Sequence, residues 1–324
     1  MLLAACTFPG SVKTTVKIGL SAPFEGLYRN LGYEVLYAVR LAVRQRNEAG
    51  GLAGRWAVEL VALNDFNEAA AAIEQADEMA VDPGVLGVLG GWTPQTAGEA
   101  APEYERLGVP FLSPGADAER LAGEAARAAA AGGLGIASVL YAPTKTDEAL
   151  ARAFARAFEA GGGIVARVES PSGPDWASLV VETRPDLVFV ASGAPDATRW
   201  IADLRQAGFG GVLMGGPELG TPLLVDLVGD ASEGVLYVSP LPPVPLDAGF
   251  VAPYQALSGG APPGPAAGWA YAAANRLLDA LDVAARSRGD PSRKTTTEAL
   301  AAAPGPATGA YLYVIRSGNP FAVP

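Results

Sequence analysis

The stretch VLGVLGGWTPQTAGEAAPEYERLGVPFLSPGADAERL, residues 85–121, packs two strand-then-loop units around a single helix. Val85 to Leu89 is a short apolar run that ends in Gly90-Gly91, and Trp92-Thr93-Pro94 then opens a helix. Thr93 suits the N-cap, where its hydroxyl accepts one of the orphan N–H groups, and Pro94 suits the first helical position, where no N–H is needed. The pattern predicts a helix to about Leu107, a stop at Gly108, and a second buried-type strand over Val109 to Leu112. Ser113-Pro114-Gly115-Ala116-Asp117 then turns out of that strand. Strand and helix alternating at this length imply a parallel sheet, with both loops at the carboxyl ends of strands, where open α/β sheets bind ligands. The free N–H groups at the start of the helix also form a ready anion site.

Working outward, 324 residues are too many for one ordinary core and suit two lobes. Half of the residues are apolar, so the chain can bury large cores. The net charge of −11 with no basic cluster argues against nucleic acid and against an anionic membrane surface. There is no histidine, which removes the commonest general base and zinc ligand, and no Ser/His/Asp triad or HExxH site is possible. The single cysteine excludes an intrachain disulfide and a cysteine-rich metal site. No metal and no cofactor is expected, and no run of eighteen or more apolar residues is present to span a membrane.

Val16 to Leu20 reads as the first strand and Leu31 to Ala49 as a helix with Leu36, Val39 and Val43 on one face, followed by a strand over Ala57 to Leu63. Downstream, helices are expected over Glu119 to Ala131, Asp147 to Ala160, Asp196 to Ala207 and Trp269 to Ala285. Strands are expected over Gly135 to Tyr141, Ile164 to Glu169, Leu187 to Ala191, Gly211 to Met214 and, as the last, Tyr311 to Ile315. Gly133-Leu134-Gly135 precedes a strand instead of following one, so it is no dinucleotide fingerprint. Pro240 to Pro245 cannot be sheet interior, because proline lacks the ladder N–H, and it reads as a stiff connection.

Several of these segments resemble the leucine/isoleucine/valine-binding family of bacterial solute receptors, the type I periplasmic binding proteins. The resemblance rests on Gly90-Gly91-Trp92-Thr93, on Val109 to Ala116, and most specifically on Asn47-Glu48-Ala49-Gly50-Gly51-Leu52-Ala53-Gly54 with Asn64-Asp65 after it. Met214 to Gly220 and Gly229 to Val238 match further family segments. It implies an α/β fold of two Rossmann-like lobes, parallel sheets flanked by helices, joined by a three-segment hinge. The lobes would be residues 14–121 plus 243–302 and residues 122–242 plus 303–324, with 1–13 as a tether. Pro304 to Gly309 would be the last interlobe strand.

By the same resemblance, the loops at Thr93 and at Gly115-Ala116 hold a ligand's amino and carboxylate groups, and Glu218 takes its ammonium. On sequence alone Glu218 is an ordinary loop carboxylate. Thr93 is a helix cap in any case. Trp92 and Trp269 are either lobe packing or aromatic walls of the cleft, and Tyr28, with Glu25, lies in the loop after the first strand. At Asp117 the family has a threonine, and an ionised aspartate has no proton to donate to a carboxylate. Either Asp117 faces the ligand, which then carries positive charge or several N–H donors, or it turns away and only its backbone is used. Around Thr146-Asp147-Glu148, where the family often has large ligand-facing residues, this chain is small or acidic.

The function implied is the extracytoplasmic substrate-binding component of an ABC transporter. It would work as a monomer in the periplasm or at the cell surface, capturing an amino acid, amine or amide for a membrane permease. A ligand-sensing regulator of the same fold is the alternative, and an enzyme is disfavoured. Leu3-Ala4-Ala5-Cys6 resembles the bacterial lipobox, although no basic segment precedes it, and Cys6 is expected to carry a lipid anchor.

Overall fold

The computed structural model describes residues 13–115, 117–244, 247–288, 290–305 and 309–324. Cys6 and Ala116 lie outside the described residues. The first lobe is built on a four-stranded parallel sheet in the order β2-β1-β3-β4. Its strands are β1 (Thr14–Ala22), β2 (Trp56–Asn64), β3 (Val85–Leu89) and β4 (Phe111–Leu112). They alternate with helices α1 (Arg29–Glu48), α2 (Ala69–Val81) and α3 (Pro94–Arg106). All five residues of β3 are buried, because helices cover both faces of the sheet. Leu86 and Leu89 pack in one core with Val35 of α1, and Val85 and Val88 pack in another with Met79 of α2 and Tyr104 of α3.

The turn between α1 and β2 shows why its sequence is so specific. Asn47 Nδ2 donates to the Val58 carbonyl and Asn47 Oδ1 accepts from the Val58 N–H, both at 2.8 Å, so one side chain mimics a neighbouring strand. Gly51 sits at φ +76°, and a Cβ there would lie 2.0 Å from the Trp56 carbonyl oxygen. Only glycine lets the helix end, reverse and enter the strand within that space.

The second lobe opens with α4 (Ala118–Ala131), β5 (Ile136–Tyr141), α5 (Lys145–Ala160), β6 (Ile164–Glu169), α6 (Trp176–Glu182) and β7 (Leu187–Ala191). It continues through α7 (Ala194–Gln206), β8 (Val212–Gly215), a 3₁₀ turn at Pro217–Gly220, α8 (Pro222–Val228) and β9 (Leu236–Ser239). The chain then returns to the first lobe as α9 (Ala248–Ser258), α10 (Pro265–Arg288) and α11 (Arg293–Ala302), where α9 packs on α1, and α10 and α11 pack on β3. It ends in the second lobe as β10 (Tyr311–Arg316) and β11 (Asn319–Ala322). The second sheet has seven strands in the order β11-β10-β9-β8-β7-β5-β6, parallel from β6 to β9 and antiparallel at β10 and β11.

Some expectations change. The long helix begins at Pro265, not Trp269. The strand beginning at Tyr311 is not the last: β11 pairs back on it through Ser317 and Gly318, at φ +48° and +74°, which is the conformation a two-residue hairpin turn needs. Pro304 and Gly305 are in no strand, and Pro306, Ala307 and Thr308 lie outside the described residues. Helix α4 packs on α5, β9 and β10.

Candidate ligand cleft

The segments after β3, β4, β8 and β9 leave the carboxyl ends of parallel strands and face one another across the lobes. Together they line a cavity that is partly open to solvent. The first lobe contributes Glu34, Trp92, Thr93 and Gly115, and the amino end of α10 adds Pro265 and Ala266. The second lobe contributes Pro217, Glu218 and Thr221 from the turn after β8, with Tyr237, Ser239 and Leu241 from β9 and the segment after it. Among the described residues no lysine or arginine lines this cavity.

Thr93 caps α3 as its sequence predicts, in a capping box with Thr96 and with Pro94 at the start of the helix. Its hydroxyl is already committed. Thr93 Oγ1 donates to Asn67 Oδ1 at 2.7 Å, and the Thr96 N–H donates to it. Behind it, Ser21 Oγ and the Asn67 N–H donate to buried Asp65, and Trp92 Nε1 donates to the Ser21 carbonyl at 2.9 Å. This buried polar network holds the Thr93 loop rigidly against β1, since each member would otherwise leave an unpaired group in the core. Trp92 therefore offers the cavity only its ring. Trp269 does not line the cavity: it is 2% exposed and packs edge-to-face on Trp92 at 5.7 Å, so it is core and not a cleft wall.

Asp117 also lies away from the cavity. Its carboxylate caps α4, accepting from the N–H groups of Glu119 and Arg120 at 3.1 Å each, and it pairs with Arg120 across solvent. The cap satisfies two orphan amides, so an aspartate here is explained by helix geometry without a ligand. Gly115 lines the cavity at φ +71°.

Glu218 is the distinctive group. It is 7% exposed, and among the described residues its carboxylate makes no hydrogen bond or ion pair, its oxygens opening on the cavity. Burial, reinforced by the charge of Asp147, pushes its pKa up to about 8. Tyr28 approaches from the other lobe: the Ala194 N–H at the start of α7 donates to the Tyr28 hydroxyl at 2.9 Å, a bond that joins the lobes. Burial and the nearby Glu218 charge hold the Tyr28 phenol well above its ordinary pKa.

Two further acidic groups stand at the cleft: Glu34, which the sequence did not point to, and Asp147, from the Thr146-Asp147-Glu148 segment noted above. Glu34 accepts the Ala267 N–H at 2.8 Å at the amino end of α10, and burial raises its pKa to about 7 against the lowering effect of the amides around it. Asp147 lies on α5, where burial raises it to about 6 against a hydrogen bond from Thr144. The Thr144-x-x-Asp147 spacing at a helix start was the visible signal for Asp147. For Glu34 there was none, since its partner amides lie more than 230 residues further along the chain. Among the described residues no cluster of three or more metal-ligating side chains occurs.

Two α/β lobes that meet over one cavity built from strand-end loops define a two-lobed solute receptor. The family described as "Periplasmic binding protein" matches residues 15–317, and the chain belongs to it. Among curated proteins none matches. Of solved structures, the leucine-binding protein LivK from Thermotoga maritima is 22% identical, with a TM-score of 0.81, covering 95% of this chain and 98% of its own. An ABC transporter substrate-binding protein from Desulfitobacterium hafniense in complex with Leu is 21% identical, with a TM-score of 0.80, covering 95% of this chain and 100% of its own. A solute-binding protein from R. palustris in complex with benzoate is 22% identical, with a TM-score of 0.73 and 95% coverage of both chains. The fold is thus that of the type I periplasmic binding proteins, with a solute-binding role.

Proposed function

We propose that this chain is the extracytoplasmic substrate-binding component of an ABC transporter, a monomer that captures a ligand bearing an ammonium group, an amino acid or an amine, between its lobes. The observation that carries the ligand class is Glu218, a buried carboxylate without a partner among the described residues, in the wall of a cavity with no basic side chain. A buried carboxylate is costly unless paired, and a bound ammonium supplies the pair. Glu34 adds a second acidic group to the cavity from the other lobe, and the occupied hydroxyl of Thr93 leaves a ligand carboxylate to the backbone amides of the α3 and Gly115 loops. A carboxylic acid without an amine finds no counter-charge here. The place of work follows from the family, and Cys6 is the proposed point of lipid attachment.

Titration calorimetry at pH 8 with amino acids, amines and simple carboxylic acids tests the reading. Amines and amino acids are expected to bind, benzoate is not, and Glu218→Ala is expected to weaken binding by about 2 to 5 kcal/mol, the range for breaking a buried charge pair. Tight binding of a simple carboxylate that is indifferent to Glu218→Ala would overturn it.

A further inference from the structure

The cleft continues past Glu218. A second, smaller and narrow pocket shares Glu218 and Pro94 with the first and is walled by Ala118, Leu121 and Leu150 from α4 and α5, with Asp147 as its other charged group. Asp147 belongs to the cap of α5: its N–H donates to Thr144 Oγ1 at 3.1 Å, and that hydroxyl donates to Asp147 Oδ2 at 2.7 Å. Capping acids ordinarily sit in water, but this one is only 8% exposed. Its Oδ1 has no hydrogen-bond donor among the described residues, and neither has either oxygen of Glu218. Of the basic side chains on α5 and α7, Arg152 pairs with Glu148 and Arg199 with Asp196.

The walls and the charges specify different parts of a ligand. Pro94, Leu121 and Leu150 make an aliphatic passage, which methylene groups fill without leaving a polar atom unpaired. One ammonium compensates one buried carboxylate. A ligand with a single positive charge leaves the other carboxylate uncompensated or obliges it to keep a proton, and a second cation at the far end of a short aliphatic chain satisfies both. Resting on the proposed function, we infer that the ligand is a dication, a diamine or a diamino acid, with one ammonium at Glu218 and the other carried along the passage to Asp147. Asp147 then determines specificity, distinguishing an aliphatic side chain that ends in a charge from one that ends in a methyl group.

Calorimetry with the purified protein at pH 8 and fixed ionic strength, comparing lysine with norleucine and 1,4-diaminobutane with butylamine, reads this directly. The second ammonium is expected to tighten binding at least thirtyfold in each pair. Asp147→Asn is expected to lower the affinity for lysine at least tenfold more than that for norleucine. Asp147→Ser, which removes the charge and keeps a small polar side chain at the helix start, is expected to do the same, so the inference does not depend on one variant folding. Norleucine bound as tightly as lysine by the unaltered protein, or a lysine preference that survives Asp147→Asn, overturns the dication inference while leaving an ammonium-binding receptor intact. Failure of all four amines to bind overturns both readings.

Discussion

Replacing Glu218 with glutamine removes the charge and keeps the shape, and the two states of the protein should respond in opposite directions. The carboxyl titrates near 4.5 when unfolded and at about 8 when folded. Between those values the native state holds a proton that the unfolded chain has lost, so stability falls as pH rises through the window and the loss is complete above about 8. The difference of about 3.5 units at about 1.4 kcal/mol per unit sets a ceiling near 5 kcal/mol, and relaxation around a real buried carboxylate reduces this to roughly 3 kcal/mol. Glutamine does not titrate. The ligand-free Glu218→Gln variant is therefore expected to match the parent near pH 5 and to exceed it by roughly 3 kcal/mol at pH 8.5, a rise of about 5 °C in Tm for a chain of this size. With a saturating ammonium ligand the order should reverse, because only the parent gains the paired charge. Scanning calorimetry of both proteins at pH 5 and pH 8.5, with and without ligand, reads all of this. Parallel pH profiles of the two ligand-free proteins, or a variant less stable than the parent at pH 8.5, would refute the claim that Glu218 is buried without a partner. The same titration predicts that cation affinity rises from pH 6 to pH 8, since a protonated Glu218 must release its proton to pair.

Tyr28→Phe removes the hydroxyl that accepts the Ala194 N–H across the lobes, and is expected to weaken ligand binding by about 0.5 to 1.5 kcal/mol, chiefly through faster release, as measured by stopped-flow fluorescence. Asp117→Ala should cost about 1 kcal/mol of stability through the lost cap and leave ligand affinity within about 0.5 kcal/mol, a result opposite to that of a ligand-contacting aspartate. Gly51→Ala forces a Cβ to within 2.0 Å of the Trp56 carbonyl and should lower stability by about 2 kcal/mol or more in thermal melts. Cys6→Ser, expressed in a bacterium with lipoprotein processing, should move the protein from the membrane to the soluble fraction, and mass spectrometry of the unaltered protein should find acyl groups on Cys6.

What the sequence determined by itself was local chemistry with short reach. The Thr93-Pro94 helix start, the apolar β3 run, the Gly108 stop and the Asn47 to Gly54 turn are each specified by neighbours within a few residues, and each stands in the structure where its pattern placed it. The helices α2, α6, α8, α9 and α11 escaped the reading; α6 and α8 are only seven residues long, too short for a helical period to show, and pack on α7. Tertiary structure alone decided which polar groups meet. It turned Asp117 into a cap, buried Trp269 against Trp92, and brought Glu34 to the amino end of α10, a partner no spacing rule reaches. Above all it took Glu218 from a glycine- and proline-rich loop, where water would solvate it, and set it within reach of the Asp147 charge in a wall without a cation. A carboxylate's chemistry depends on the dielectric and the charges around it, and those come from residues distant in the chain.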